Sequence, residues 1–312
     1  MCTAVSLPAG GFFFGRTLDY TCSFGEEVIL LPRRFPLSFR HGPSLPTHYA
    51  FVGMAYPDDT FPLFFDGLNE KGLAAAALRF AGEACYHPPK AGLESLPSFE
   101  VISRVLAQCA TAAQAKALLS RCVITDESFR PDLPPSPLHW LIADRHEAFA
   151  VESTAKGLCL YPAPAGVLTN APAFPQQMAH LRRFSHLTPR QMGDGALGLP
   201  GDSSSSSRFV RGAFLRRHFA PGADESDTVQ RFFRLLDGVS ILPGSCLTTD
   251  GESQFTRYLC CCSGQSGSYY YSTHQDRTLR VVKLTAERMD SSCPTRVPLP
   301  QKALFLSPDC GT

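Results

Sequence analysis

Short apolar runs broken by proline and glycine alternate along this chain with pairs of helix-like segments, and that alternation limits the fold more than any other feature. Cys2–Ser6, Phe12–Thr17, Glu27–Leu31, Ala50–Met54 and Leu63–Leu68 read as strands, each ended by turn-forming residues. Gly67-Leu68-Asn69-Glu70-Lys71-Gly72 reads as a hairpin turn joining Phe64–Leu68 to Leu73–Phe80. Two helices follow: Phe99–Cys109, capped by Ser98 with Glu100 in its first turn, and Ala112–Ser120, capped by Thr111. A second block predicts strands at His139–Ala143, Ala148–Glu152, Leu158–Tyr161 and Val167–Thr169, then helices at Pro175–Arg183, Arg208–His218 and Asp227–Leu236. Phe255–Cys262, Gly267–Ser272 and Thr278–Leu284 are three further strands. The segment after Arg288, with four prolines, reads as an irregular wrap. Strand blocks between helix pairs fit a layered α+β domain with antiparallel sheets. No linker divides the chain, so residues 1–312 are read as one domain.

Charge narrows the partner. Lys and Arg total 29 against 28 Asp and Glu, a formal net charge of +1, which argues against a nucleic-acid or anionic-membrane surface and for a small molecule. No apolar stretch approaches the ~18 residues of a membrane span. Pro8, Gly10 and Gly11 interrupt the N-terminal segment, and Arg16 and Asp19 follow, so a signal peptide is not expected and a cytoplasmic location is. The twelve cysteines lack the repeated close pairs of a zinc site, and in a reducing compartment they act as small buried hydrophobes. A strand through Cys260-Cys261-Cys262 would point Cys261 away from its neighbours, so no metal site, and no cofactor, is expected. Gly193-Asp194-Gly195-Ala196-Leu197-Gly198 matches G-x-G-x-x-G but has no strand before it, and it reads as a loop. Gly264-Gln265-Ser266-Gly267 fails the nucleophile-elbow pattern, because Ser268 stands where glycine is needed. Ser203–Ser207 reads as a long capping loop before a helix or as a flexible linker.

The chain begins Met1-Cys2-Thr3. Removal of Met1 would leave one residue carrying both a thiol and a free α-amine. An α-amine with an ordinary pKa of about 7.7–8.0 is a base for a side chain attached to the same residue near neutral pH. Position alone is weak ground, since a cysteine after Met is usually inert. Only two asparagines occur, Asn69 and Asn170. Asn69 lies in the hairpin turn. Asn170 ends a strand, where it serves either a turn or, through its side-chain amide, an oxyanion.

Taken in order, several segments resemble the choloylglycine hydrolase family, the N-terminal-nucleophile hydrolases that include bile salt hydrolases and penicillin V acylases. They are Met1-Cys2-Thr3, Gly15-Arg16-Thr17-Leu18-Asp19, Asp66-Gly67-Leu68-Asn69-Glu70-Lys71-Gly72-Leu73, Leu138-His139-Trp140, Val167-Leu168-Thr169-Asn170 with Pro172 and Phe174, Gly198-Leu199-Pro200-Gly201-Asp202 leading into Ser207-Arg208-Phe209-Val210-Arg211, and Tyr269-Tyr270-Tyr271. The resemblance implies a four-layer αββα sandwich and hydrolysis of a linear amide. It implies Cys2 as nucleophile with its own amine as base, Arg16 as a cation favouring the thiolate, and Asp19 as acceptor for the N-terminal ammonium. Asn170 is implied as oxyanion donor, and Arg208 completes the polar network.

One position departs from the family pattern. Arg79 stands in the strand after the Asn-Glu-Lys-Gly turn, where bile salt hydrolases usually carry Asn and penicillin V acylases often carry Tyr. There it would lend its backbone N–H to the oxyanion and its guanidinium to the carboxylate or sulfonate of a glycine or taurine conjugate. The expected pocket walls are the loops Tyr20–Phe24, Tyr56–Phe65 and Arg130–Trp140, with Tyr20, Phe61, Phe64 and Leu138 as apolar contacts. Conjugated bile salts are the expected substrates, with penicillin V or another linear acyl amide as the alternative. A homo-oligomer, a tetramer by family expectation, goes with the resemblance. A non-catalytic binding or redox-sensing relative would instead keep its activity without Cys2.

Overall fold

The computed structural model describes residues 1–189 and 191–305. In chain order its strands are β1 (Cys2–Pro8), β2 (Phe12–Tyr20), β3 (Glu27–Leu31), β4 (Phe51–Tyr56), β5 (Leu63–Phe64), β6 (Asp66–Asn69), β7 (Ala74–Arg79), β8 (Glu94–Pro97), β9 (Cys122–Thr125), β10 (Leu138–Ala143), β11 (Ala148–Thr154), β12 (Gly157–Pro162), β13 (Val167–Leu168), β14 (Phe255–Ser263), β15 (Ser268–Thr273), β16 (Arg280–Lys283) and β17 (Thr295–Pro298). The helices are α1 (Val101–Gln108), α2 (Ala112–Leu119), α3 (Phe174–Leu181), α4 (Ser205–Arg217), α5 (Glu225–Asp237) and the single turn α6 (Ala286–Met289).

Two antiparallel sheets carry the structure. One runs β13-β1-β2-β14-β15-β16, and the other runs β12-β11-β10-β7-β6-β4-β3-β17 with β5 paired to β4. Alternation along each strand sorts the side chains into layers. Ala74, Ala76 and Leu78 of β7 join Cys2, Ala4 and Phe14 in one core cluster, whereas Ala75 and Ala77 pack with Val101, Val105 and Leu119 of the α1–α2 layer. Phe209 of α4 and Phe232 and Leu236 of α5 close the opposite face. The result is the four-layer αββα arrangement of an α+β fold.

Alternation also explains the cysteine triplet. Cys260, Cys261 and Cys262 lie in β14 between β2 and β15, and all three are buried. Burial pushes their thiols well above the ordinary range, with Asp66 acting on Cys260 and Cys262 and Glu225 on Cys261 from the α5 side. No cluster of three or more His, Cys, Asp or Glu residues suited to a metal occurs among the described residues. Close packing of β14 on β2 also requires Gly15: a Cβ there would meet the Cys260 carbonyl oxygen at 2.0 Å and Phe232 at 2.7 Å. That approach fixes the neighbouring Arg16.

Local capping chemistry sets several boundaries. The Thr111 hydroxyl accepts from Gln114 N at 3.2 Å, Ser204 from Ser207 N at 3.3 Å, and Asp224 from Asp227 N at 2.8 Å. Ser98 does not cap α1. It begins a 3-10 turn, Ser98–Glu100, entered from Pro97, and its buried hydroxyl has no hydrogen-bond partner among the described residues. The segment after Arg288 is not wholly irregular either: Thr295–Pro298 pairs with β3 as an edge strand, where a terminal proline leaves no ladder donor missing. The short parallel pair β8–β9 has too few residues to show a period in the sequence. The G-x-G-x-x-G match falls mostly in 3-10 turns, Gln191–Ala196.

Asn69 holds the β6–β7 turn. Its amide donates to the carbonyls of Leu106 and Cys109, both at 2.8 Å, and its Oδ1 accepts from Lys71 N and Leu73 N, both at 3.0 Å. The residue is fully buried. Asn69→Ala would leave several buried groups unpaired at about 1–3 kcal/mol each. The expected result is a loss of about 3 kcal/mol or more, read as a lower urea midpoint at constant m-value; an unmoved midpoint would contradict it.

Candidate active site

The β-ladder places Cys2 at one end of β1, paired with Leu18 of β2, and leaves it 3% exposed. Asp19 N donates to Met1 O at 2.9 Å, and the Met1 ammonium donates to the Asp19 carbonyl at 2.7 Å. Burial lowers the pKa of this Met1 ammonium, outweighing the opposing pull of Cys2 and Asp19. Cys2 N donates to Asn170 Oδ1 at 2.8 Å. The atom that becomes the α-amine on Met1 removal is therefore already oriented.

Asn170 follows β13 and joins three parts of the site. Its Oδ1 accepts from Cys2 N and from Arg208 Nη2 at 2.7 Å, while its Nδ2 donates to the Arg79 carbonyl at 2.7 Å. Two donors on one side and an acceptor on the other fix the orientation of the amide. One of the two Nδ2 hydrogens remains for another acceptor.

Arg208 reaches in from the first turn of α4 and is fully buried. Its Nη1 donates to Cys2 O at 2.5 Å and Thr3 Oγ1 at 2.8 Å, and its Nε donates to Ser203 O at 3.0 Å. Burial lowers the guanidinium pKa against the opposing effects of Asp19 and Cys2. The Asp19 carboxylate lies 4.0 Å away and accepts from Thr256 Oγ1 at 2.6 Å and Thr17 Oγ1 at 3.1 Å. The resemblance implies that Asp19 accepts from the ammonium of an N-terminal Cys2. With Met1 in place, Cys2 N is engaged by Asn170 Oδ1 instead, and the Asp19 backbone carbonyl accepts from the Met1 ammonium.

Arg16 lies in β2, fully buried, and donates through Nη1 to the carbonyls of Ala77 at 2.6 Å and Phe65 at 3.1 Å. Its Nη2 has no partner among the described residues. Burial opposes its charge, but Cys2, Tyr258, Asp66 and Cys260 outweigh burial and raise its pKa. Asp66, 3.9 Å from Arg16 Nε, is held by Tyr258 at 2.5 Å and Tyr269 at 2.6 Å. Sequence reading does not single out Asp66, Thr3 or Thr256, because the partners that give them meaning are far away in the chain.

Arg79 ends β7 with an exposed side chain, opposite the half-buried Leu138 of β10. It enters none of the ion pairs among the described residues. Tyr20 begins an aromatic row toward the inter-sheet side: its ring lies 4.7 Å from Phe24, which lies 5.6 Å from Phe65. Phe61 and Phe64 belong instead to the opposite, helix-side core. Phe61 sits edge-on to Phe39 at 5.6 Å, and Phe64 packs on Phe51 at 4.9 Å. The pleat separates neighbours here: Phe64 faces α1, and Phe65 faces the nucleophile layer. Alternation from Leu63 is the sequence signal that would have picked Phe65.

In sequence and fold the chain is similar to known proteins. The family model described as linear amide C–N hydrolases, choloylglycine hydrolase family, matches residues 2–296. The chain is 38% identical over 320 residues to a bile salt hydrolase/transferase of Lactiplantibacillus plantarum, covering 98% of this chain and 99% of the relative. It is 32% identical over 311 residues to a conjugated bile acid hydrolase of Lactobacillus acidophilus, covering 94% and 98%. A crystal structure of a mutant conjugated bile acid hydrolase from Clostridium perfringens superposes with a TM-score of 0.90 at 30% identity, covering 99% of this chain and 100% of that one. Penicillin V acylase from Agrobacterium tumefaciens shares the fold, with a TM-score of 0.78 at 21% identity over 95% and 90% of the two chains.

Proposed function

This chain belongs to the choloylglycine hydrolase family of linear amide C–N hydrolases, and we propose that it cleaves glycine- and taurine-conjugated bile salts through an N-terminal Cys2 nucleophile. The observation that carries this reading is the 2.8 Å hydrogen bond between Cys2 N and Asn170 Oδ1, which orients the future amine beside its own thiol. Bile salt hydrolysis is the activity named for the relatives that match over nearly the whole chain. The acylase likeness supports the fold alone.

In this reading the amine takes the Cys2 thiol proton, and the thiolate attacks the amide carbon. The Asn170 Nδ2 hydrogen not used by Arg79 donates to the developing oxyanion. Collapse of the tetrahedral intermediate passes the proton from the ammonium to the departing glycine or taurine nitrogen and leaves a thioester. Water then attacks the thioester, with the amine again as base, and releases free bile acid. Arg16 supplies positive charge under the thiolate. Arg208 ties Cys2, Thr3 and Asn170 together, so the nucleophile and the oxyanion donor move as one unit.

A side-by-side assay of glycocholate, taurocholate and penicillin V tests the substrate. Turnover of the two conjugates well above penicillin V, lost in Cys2→Ser, is expected; the opposite preference would make the acylase reading correct. Arg79 refines the expectation. An exposed guanidinium with no carboxylate partner among the described residues suits an anionic leaving group, at about 0.5–1 kcal/mol after solvent screening. Arg79→Ala should raise KM for glycocholate by about 2- to 5-fold and leave an uncharged glycinamide conjugate nearly unaffected. Equal effects on both would remove that role.

The same reading treats residues 1–312 as one domain and the protein as a cytoplasmic homo-oligomer. The eleven cysteines among the described residues are unpaired, which fits a reducing compartment. No described helix is long and apolar enough to cross a membrane.

A further inference from the structure

His139 is fully buried in β10 and makes two polar contacts. Its Nε2 lies 2.9 Å from the Thr169 carbonyl, which can only accept, so Nε2 carries a hydrogen. Its Nδ1 lies 3.1 Å from Glu152 Oε1. Glu152 is also fully buried, and it receives Phe174 N on both oxygens, at 2.9 and 3.1 Å. The imidazole lies flat on Phe80, 4.2 Å between centroids with the planes 7° apart. The pair is thus tied to β11 and to the start of α3.

The two contacted residues adjoin the site. Thr169 precedes Asn170, and Phe80 follows Arg79, whose carbonyl accepts from Asn170 Nδ2. The Thr169 carbonyl and the Asn170 N–H also belong to one planar peptide unit. His139 grips the carbonyl end of that unit, and Ser205 Oγ accepts from the N–H end at 2.9 Å. Rotation of this peptide would swing the Asn170 side chain away from Cys2 N and Arg79 together.

We infer that His139, held by Glu152, is a positioning residue that sets the direction of the Asn170 amide for the oxyanion. Its two polar contacts are to Glu152 and Thr169, not to Cys2. The inference rests on the reading of Cys2 and Asn170 given above. A displacement of about 1 Å in such a donor can cost on the order of 10²-fold in rate. Loss of His139 should therefore weaken the chemical step and spare both binding and the thiol.

The test uses His139→Leu, which removes both polar contacts, and His139→Gln, whose amide can still reach the Thr169 carbonyl. His139→Asn, too short for that contact, is the second disruptive variant should the leucine variant not fold. Glycocholate kinetics are measured beside the rate of Cys2 alkylation by iodoacetamide. Expected for His139→Leu and His139→Asn is a kcat lower by about 10- to 100-fold, KM within about threefold and an unchanged alkylation rate. His139→Gln should recover most of the lost kcat. Wild-type kcat in a disruptive variant, parallel loss of kcat and alkylation, or a glutamine variant no better than asparagine would each overturn the inference. Absence of Cys2-dependent hydrolysis in the wild type would instead remove the functional reading beneath it.

Discussion

Cys2→Ala is expected to abolish amide hydrolysis, lowering kcat by on the order of 10⁴-fold or more, with the fold retained. Cys2 is a small side chain at the end of a strand, so removing its sulfur leaves the β1–β2 ladder in place. The elements around it keep their hydrogen bonds, because Arg208 and Asn170 contact the Cys2 main chain rather than the thiol. Substrate binding should survive, and the alanine variant should hold glycocholate without turning it over. Thermal unfolding and equilibrium binding, measured beside steady-state kinetics, separate lost chemistry from lost structure. Appreciable turnover by a folded Cys2→Ala protein would contradict Cys2 as the nucleophile.

The second large effect is expected at Asn170. Loss of one oxyanion donor costs about 2.7–4 kcal/mol, or on the order of 10²–10³ in kcat. Asn170→Ala should reach or exceed that range, because the same side chain also orients Cys2 N and accepts from Arg208. Asn170→Asp separates the contributions. A carboxylate keeps the acceptor facing Cys2 N and Arg208, but it cannot donate to the Arg79 carbonyl or to an oxyanion. If donation is the main contribution, the aspartate variant loses nearly as much kcat as the alanine variant. If orienting the amine dominates, the aspartate variant stays near wild type. Steady-state kcat for glycocholate in the two variants decides between them, and comparable large losses are the expected outcome.

Much of the layered fold was legible because it rests on local signals. Strand alternation, glycine and proline punctuation, and the cap at Thr111 act within a few residues and left their pattern in the chain. What escaped depends on contacts distant in sequence. Thr295–Pro298 is a strand only because β3 offers it an edge, and β8–β9 is too short to show a period. Ser98 resembled a cap, yet Pro97 diverts the chain into a 3-10 turn before α1 begins.

The site divides in the same way. Cys2, Arg16, Asp19, Asn170 and Arg208 were picked out through family-like motifs, and the fold brings them into one hydrogen-bonded group or its edge. Phe61 and Phe64 were chosen as aromatic residues in a mouth loop, but burial in the helix-side core explains both without a ligand. Phe65 falls in an expected pocket wall and Asp66 in a family-like motif, but neither has an individual role in the sequence reading, although both lie beside Arg16. His139 and Glu152 are 13 residues apart and gain a shared role only where β10 meets β11.

The central claim is that the nucleophile and its base are one residue, and its most direct test is N-terminal sequencing of catalytically active protein. Cys2 in the first cycle is the predicted result, with activity rising in proportion to the fraction processed. Met1 in the first cycle of a preparation with full hydrolytic activity would contradict the account, because an acylated amine cannot serve as the base.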